Sequence, residues 1–154
     1  MSAESRLAEL GIELPAPAAP AAAYVLSAQT GSTVFVSGHI AKTEGRVWVG
    51  KLGENMGTSE ARQAARAVAI DLIATLKQAA RGDLSKVRRI VKVMTLVNSS
   101  PEFTEQHLVA NGCSELLVEI FGERGAHARS AFGVAQIPLG ACVEIELVAE
   151  LELP

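Results

Sequence analysis

The sequence predicts an α+β fold: one mixed sheet with two helices on one face, in the order β-β-β-α-β-α-β-β. Three observations carry this. A helical stripe runs from about Ser59 to Ala80, where Ala61, Ala64, Ala65, Val68, Leu72, Ile73, Leu76 and Ala79 recur at three- and four-residue steps. "VRRIVKVMTLVN", Val87 to Asn98, is long, β-branched and apolar on both faces, as a central strand is. "CVEIELVAELEL", Cys142 to Leu153, alternates with period two, setting Val143, Ile145, Leu147 and Ala149 against Glu144, Glu146, Val148 and Glu150. Strands in runs with two helices suit a two-layer α+β domain, and 154 residues suit one domain, 1–154.

The chain opens with a short helical turn, Ser5 to Leu10, stopped by Gly11. "LPAPAAPAAAY" follows, and its prolines Pro15, Pro17 and Pro20 favour an extended conformation, so residues 1–20 form an N-terminal arm, free or packed. "YVLSA" (Tyr24–Ala28) and "TVFVS" (Thr33–Ser37) predict a hairpin through Gly31, and "GRVWVG" (Gly45–Gly50) a third strand. Thr58 is the expected N-cap of the long helix, with Glu60 suiting its dipole. "SSPEF" signals a helix start at Pro101, and a second helix runs from near Gly112 to Phe121. "GERGAHAR" then leads into a strand, Ala128 to Ile137. Helices on one face leave the other face of an apolar central strand uncovered, which predicts burial against other subunits.

Composition narrows the function classes. The formal net charge is −3 and no basic block exceeds two residues, which disfavours a nucleic-acid partner. Arg88, Arg89 and Lys92 sit together at one strand start and read as a solvated strand end. Cys113 and Cys142 have no metal-ligand or CxxC spacing, and His39, His107 and His127 are scattered, so no metal and no cofactor is expected. The early acids of "MSAESRLAELGIEL" do not fit a signal peptide, and no apolar run reaches the ~20 residues of a membrane helix, so the expectation is a cytoplasmic protein without membrane contact.

The candidate chemistry sits in four residues at or near strand ends. Arg129 opens a strand of small and apolar residues; its permanent charge needs an anion, either a structural acid or a carboxylate ligand held bidentately. Glu144 opens the last strand and is either an exposed strand acid or a functional carboxylate. Ser37 precedes Gly38 as a turn residue or a site hydroxyl. Tyr24, the only tyrosine, is a half-buried strand aromatic or a pocket wall.

"AAAYVLSAQTGSTVFVSGHI", "HARSAFGVAQIP" and "VEIELVAE", in this order, resemble the Rid family, the RidA/YjgF proteins also called endoribonuclease L-PSP. The resemblance spans about Pro15 to Glu150. It implies a chorismate-mutase-like fold and homotrimers whose sheets pack into a central barrel, with sites in the clefts between subunits. It implies hydrolytic deamination of reactive 2-imino or enamino acids to 2-oxo acids and ammonia. Arg129 then matches the arginine that grips the substrate carboxylate, and Glu144 the glutamate that positions water. Tyr24 and Ser37 match further pocket positions. The sequence departs from the archetype at Ala131, where the archetype carries a pocket cysteine. It also departs in its longer leader and in a longer second-helix connection, which together suggest a divergent subgroup. The archetype's second-helix asparagine corresponds to Ser114 or to Asn111, depending on where the extra residues fall. Non-catalytic binding of a small carboxylate metabolite is the alternative function, and an endoribonuclease ranks third.

Overall fold

The structure is a computed structural model, and it describes residues 1–17, 19–20 and 22–154. The leader begins as a helix rather than an arm. α1 (Ala3–Glu9) is capped by the Ser2 side chain and ends before Gly11, whose φ is 66°. It belongs to the body: Ala3 and Leu7 are buried, the Arg6 Nε–H donates to the Glu119 carbonyl at 2.9 Å, and Glu4 Oε1 accepts from the Leu84 amide at 2.9 Å. The described residues between Ile12 and Leu26 carry neither helix nor strand; Ala18 and Ala21 of the expected arm region lie outside the described residues.

β1 (Ser27–Thr30) and β2 (Thr33–Ile40) form the expected hairpin, closed by the Thr30–Thr33 pair. Tyr24 lies before the strand rather than in it. The cause is a register break in β2 between Val36 and His39. Past the Ser27–Val36 pair the regular ladder stops, and Ser37 instead donates its amide to Leu26 O at 2.9 Å and its hydroxyl to Val25 O at 2.6 Å. The third strand also differs. Thr43 and Arg46 close a tight turn at Glu44 (φ 53°) and Gly45 (φ 76°), so β3 (Lys42–Thr43) and β4 (Arg46–Val47) pair with each other outside the main sheet.

α2 (Thr58–Ala79) follows the alanine-rich stripe, with Ala61, Ala64, Ala65, Val68, Ala69, Leu72, Ile73 and Leu76 fully buried. Gly57, not Thr58, is its N-cap; the Thr58 hydroxyl donates to Glu105 Oε1 at 2.6 Å. β5 (Val87–Asn98) has the expected bounds. α3 (Gln106–Phe121) starts later than the proline signal at Pro101, which sits in a turn, and earlier than Gly112. Small residues let the two helices touch: a Cβ on Gly112 would lie 2.0 Å from the Arg62 carbonyl oxygen. β6 (Ala128–Val134) stops three residues short of Ile137, and β7 (Val143–Leu151) keeps the predicted alternation.

The sheet order is β1-β2-β7-β5-β6, antiparallel except for the parallel β5–β6 pair that α3 connects. Val34, Val36, Val93, Val97, Val143, Ile145 and Leu147 point toward α2 and α3 and are buried. Among the described residues no helix lies over the opposite face. Phe35 (51% exposed) and Phe132 (44%) stand on it beside half-buried Met94, Leu96 and Val148.

Candidate functional site

The residues singled out in the sequence fall into two clusters. The first is built on the parallel pair. Arg129, the second residue of β6, lies opposite Val93 and so shares the helix-covered face. Three acceptors on α3 hold its guanidinium: Asn111 Oδ1 at 2.8 Å and Ser114 Oγ at 3.2 Å from one terminal nitrogen, and the His107 carbonyl at 3.2 Å from the other. Asn111 and Ser114 are three residues apart on one helix face, so both meet the arginine and the two sequence alternatives share one position in space. All three acceptors are uncharged. The ion pairs among the described residues are Arg6–Glu9, Arg62–Glu115, Arg66–Glu119 and Arg88–Glu150, none of which involves Arg129. A structural acid as its partner, one of the two possibilities open in the sequence, is absent among the described residues.

Next to the arginine lies a cavity of about 270 Å³ lined by Ser114, Val118, Ala126, His127 and Arg129. His127, which sequence reasoning left without a role, hydrogen-bonds Ser114 Oγ at 2.9 Å through Nε2. Its sequence signal was its place two residues before Arg129 at the entry to the strand, where an extended chain puts both side chains on one side. Ala131 follows on that face opposite Thr95, whose hydroxyl is fully buried and without a hydrogen-bond partner.

The second cluster lies on the open face. Glu144 is half-buried and sits beside β2, paired with Ile40. Burial pushes its carboxyl above the usual glutamate range, and the neighbouring Glu146 charge adds to the effect. The irregularity in β2 makes room for it. A Cβ on Gly38 would come 2.9 Å from Glu144 Oε2, so a glycine is what lets the carboxylate lie against this backbone. His39 braces the same segment. Its Nδ1 lies 2.6 Å from the Ser37 carbonyl and its Nε2 2.8 Å from Thr75 Oγ1 on α2, while burial lowers its pKa. Ser37, beside Gly38, ties the incoming segment to this cluster through the bond from its Oγ to Val25 O; Tyr24, the residue before Val25, is 47% exposed.

One chain does not unite the two clusters. Across the ladders Arg129 lines up with Val93 and Leu147, whereas Glu144 lines up with Leu96. Two strand spacings and three residues along β7 put their backbones roughly 14 Å apart. Their side chains leave opposite faces of the sheet. Among the described residues no group of three His, Cys, Asp or Glu could hold a metal, and no helix is long and apolar enough to cross a membrane.

Comparison with known proteins agrees with the fold. Residues 4–151 match the family described as "YjgF/chorismate mutase-like, putative endoribonuclease". Protein TCP17 of Trypanosoma cruzi is 48% identical over 149 residues, covering 96% of this chain and 92% of that protein. The crystal structure of Atu1372 from Agrobacterium tumefaciens, of unknown function, is 41% identical with a TM-score of 0.90, covering 97% of this chain and 92% of that one. A Shewanella oneidensis structure of the same endoribonuclease description is 35% identical with a TM-score of 0.93, covering 98% and 100%. With the motifs, the two-layer topology and these relatives in agreement, the chain belongs to the YjgF, or Rid, family and carries its α+β chorismate-mutase-like fold.

Proposed function

We propose that the protein hydrolyses small 2-imino or enamino acids to 2-oxo acids and ammonia, in clefts between the subunits of a homotrimer. The observation that carries this is the neutral cradle of Arg129. Three uncharged acceptors orient the guanidinium and leave its charge uncompensated, which suits a ligand carboxylate. The open sheet face, with Phe35, Phe132, Met94, Leu96 and Val148, supports cover by further copies of the chain. Such packing can bring the Glu144 cluster of one subunit to the Arg129 cluster of the next.

In this mechanism Arg129 fixes the carboxylate and presents the protonated imine carbon to a water held by Glu144. The water oxygen bonds to the imine carbon as one of its protons passes to the carboxylate. The C=N π pair moves to nitrogen, giving a tetrahedral carbinolamine. Glu144 then returns the proton to that nitrogen. The C–N bond breaks with its electron pair and ammonia leaves, while the hydroxyl proton passes to the Glu144 carboxylate as the carbonyl forms and from there to the departing ammonia or bulk water. An imine is already electrophilic, so orientation and a well-placed base supply most of what is needed.

Binding without turnover is the second reading. Ala131 favours it, because a methyl group stands where the archetype has a thiol. An RNA substrate fits poorly: the open face carries Glu144, Glu146 and Glu150, and the net charge is −3. The deciding experiment follows 2-oxo acid formation from imines generated by an amino-acid oxidase. Wild type should accelerate hydrolysis, and Arg129→Ala should lower kcat/KM about 100-fold, the loss of roughly 3 kcal/mol of charge-assisted hydrogen bonding. Equal rates for the two proteins would remove the deaminase assignment. Saturable binding of 2-oxobutyrate with no change in imine lifetime would select the second reading.

A further inference from the structure

His127 opens a hydrogen-bonded chain whose directions are all determined. Its Nδ1 lies 2.6 Å from the Gly125 carbonyl, which can only accept, so Nδ1 carries the proton. Burial lowers the His127 pKa, the Gly125 carbonyl opposes this and the Arg129 charge adds to it, so the ring is neutral at neutral pH. Nε2 is then an acceptor, and the Ser114 hydroxyl 2.9 Å away must donate to it. That leaves only lone pairs on Ser114 Oγ to face Arg129, which donates to them at 3.2 Å. The order is therefore Arg129 to Ser114 to His127 to the Gly125 carbonyl. The first contact is one of three that hold the guanidinium, and the only one made through a hydroxyl that can rotate.

We propose that His127, acting through Ser114, is a positioning residue that locks the Arg129 guanidinium in the orientation that receives a carboxylate. This rests on Arg129 being the carboxylate anchor. Without an acceptor at Nε2 the Ser114 hydroxyl is free to turn its hydrogen toward the arginine, which disrupts that contact. The guanidinium then has to be ordered by the ligand itself, and affinity falls by that cost. The cavity bounded by His127 and Ser114 lies beside the arginine, so the effect acts at the binding surface.

The test is isothermal titration of 2-oxobutyrate into the full-length protein near neutral pH, for wild type, Arg129→Ala, Ser114→Ala, His127→Ala, the Ser114→Ala/His127→Ala double variant and His127→Gln. Ser114→Ala and His127→Ala should each raise Kd about 3- to 10-fold, the scale of one neutral hydrogen bond. The double variant should be no weaker than either single one, because both break the same chain. His127→Gln, whose amide oxygen can accept from Ser114, should bind within about 2-fold of wild type, a rescue that lost packing would not give. Unchanged Kd in Ser114→Ala and His127→Ala, with binding lost in Arg129→Ala, overturns the positioning role and leaves the anchor standing. Losses that add in the double variant, or no rescue by glutamine, also overturn it. No binding by wild type, or full binding by Arg129→Ala, overturns the anchor itself. Where His127→Ala does not fold, Ser114→Ala and His127→Gln decide the matter, since one removes a single oxygen and the other keeps a side chain of similar reach.

Discussion

Arg129 and Glu144 are both partly desolvated charges, and their surroundings differ in a way that bears on their roles. Arg129 is met by three uncharged acceptors and, among the described residues, by no acid, which suits the proposed carboxylate ligand. Glu144 is met by burial and a like charge, so its proton is held more tightly than in an ordinary glutamate. A general base works only when ionised, and a raised pKa brings it closer to neutral pH. The sign follows directly. As pH falls, activity should begin to fail above the range of an unperturbed glutamate, because Glu144 takes up its proton there. Glu146→Gln removes one of the two raising causes, so the acid limb of kcat/KM should move toward lower pH without disappearing. Burial is the larger cause, so a residual upward displacement should remain. A kcat/KM profile across the acid range for both proteins checks this; a limb that stays fixed would show that Glu146 does not bear on the reacting carboxylate.

At the scale of elements, the parts dictated by local periodicity were legible and the parts dictated by pairing were not. β5 kept its bounds and β7 its alternation because each carries a continuous pattern of its own. Val91 stands two residues before the buried Val93, where simple alternation would bury it too, yet it is 39% exposed. Register shifts between Val87 and Arg89 and between Ile90 and Lys92 reset the parity, so Val87, Ile90 and Val93 are the buried set. The extra residues, Arg88 and Val91, lie in β5 opposite an unbroken β7, and nothing in the β5 pattern marks which of its residues the ladder skips. The same holds for Tyr24, displaced by the break in β2, and for "GRVWVG", claimed by its own tight turn. Of the candidate site, Arg129, Glu144, Ser37 and Tyr24 were visible as residue types in a familiar order. Asn111 and Ser114 were visible as alternatives, but that both touch the arginine depended on where the extra residues fell. His127 was visible only as a strand neighbour. The α2–α3 contact yields a stability prediction: Gly112 meets the Arg62 backbone, which cannot rotate aside. Gly112→Ala should cost about 1–3 kcal/mol by forcing the helices apart, despite alanine's better helix propensity. Urea denaturation checks the sign. Unchanged or increased stability would mean that the helices separate freely.

At the scale of the whole molecule, the two clusters face away from each other, and this constrains how any shared site is assembled. The Glu144 cluster belongs to the open face, whereas the Arg129 cluster belongs to the helix-covered side at the β6 edge. A site that needs both must draw them from different chains. Chains carrying Arg129→Ala supply a good Glu144, and chains carrying Glu144→Gln supply a good Arg129. Each protein alone should be nearly inactive. Co-expressed in equal amounts and assembled at random, they should regain about a quarter of wild-type activity, since a working interface needs the intact arginine on one side and the intact glutamate on the other, each with a chance of about one half. A doubly substituted chain mixed with wild type provides the control, because its mixed interfaces each lack at least one of the two groups. Activity of the whole, unfractionated population of co-expressed oligomers, with subunit content read by native mass spectrometry, distinguishes the cases. Recovery near a quarter requires arginine and glutamate to come from adjacent subunits. If both came from the same chain, mixing could create no complete site and the mixture would stay as inactive as its parents.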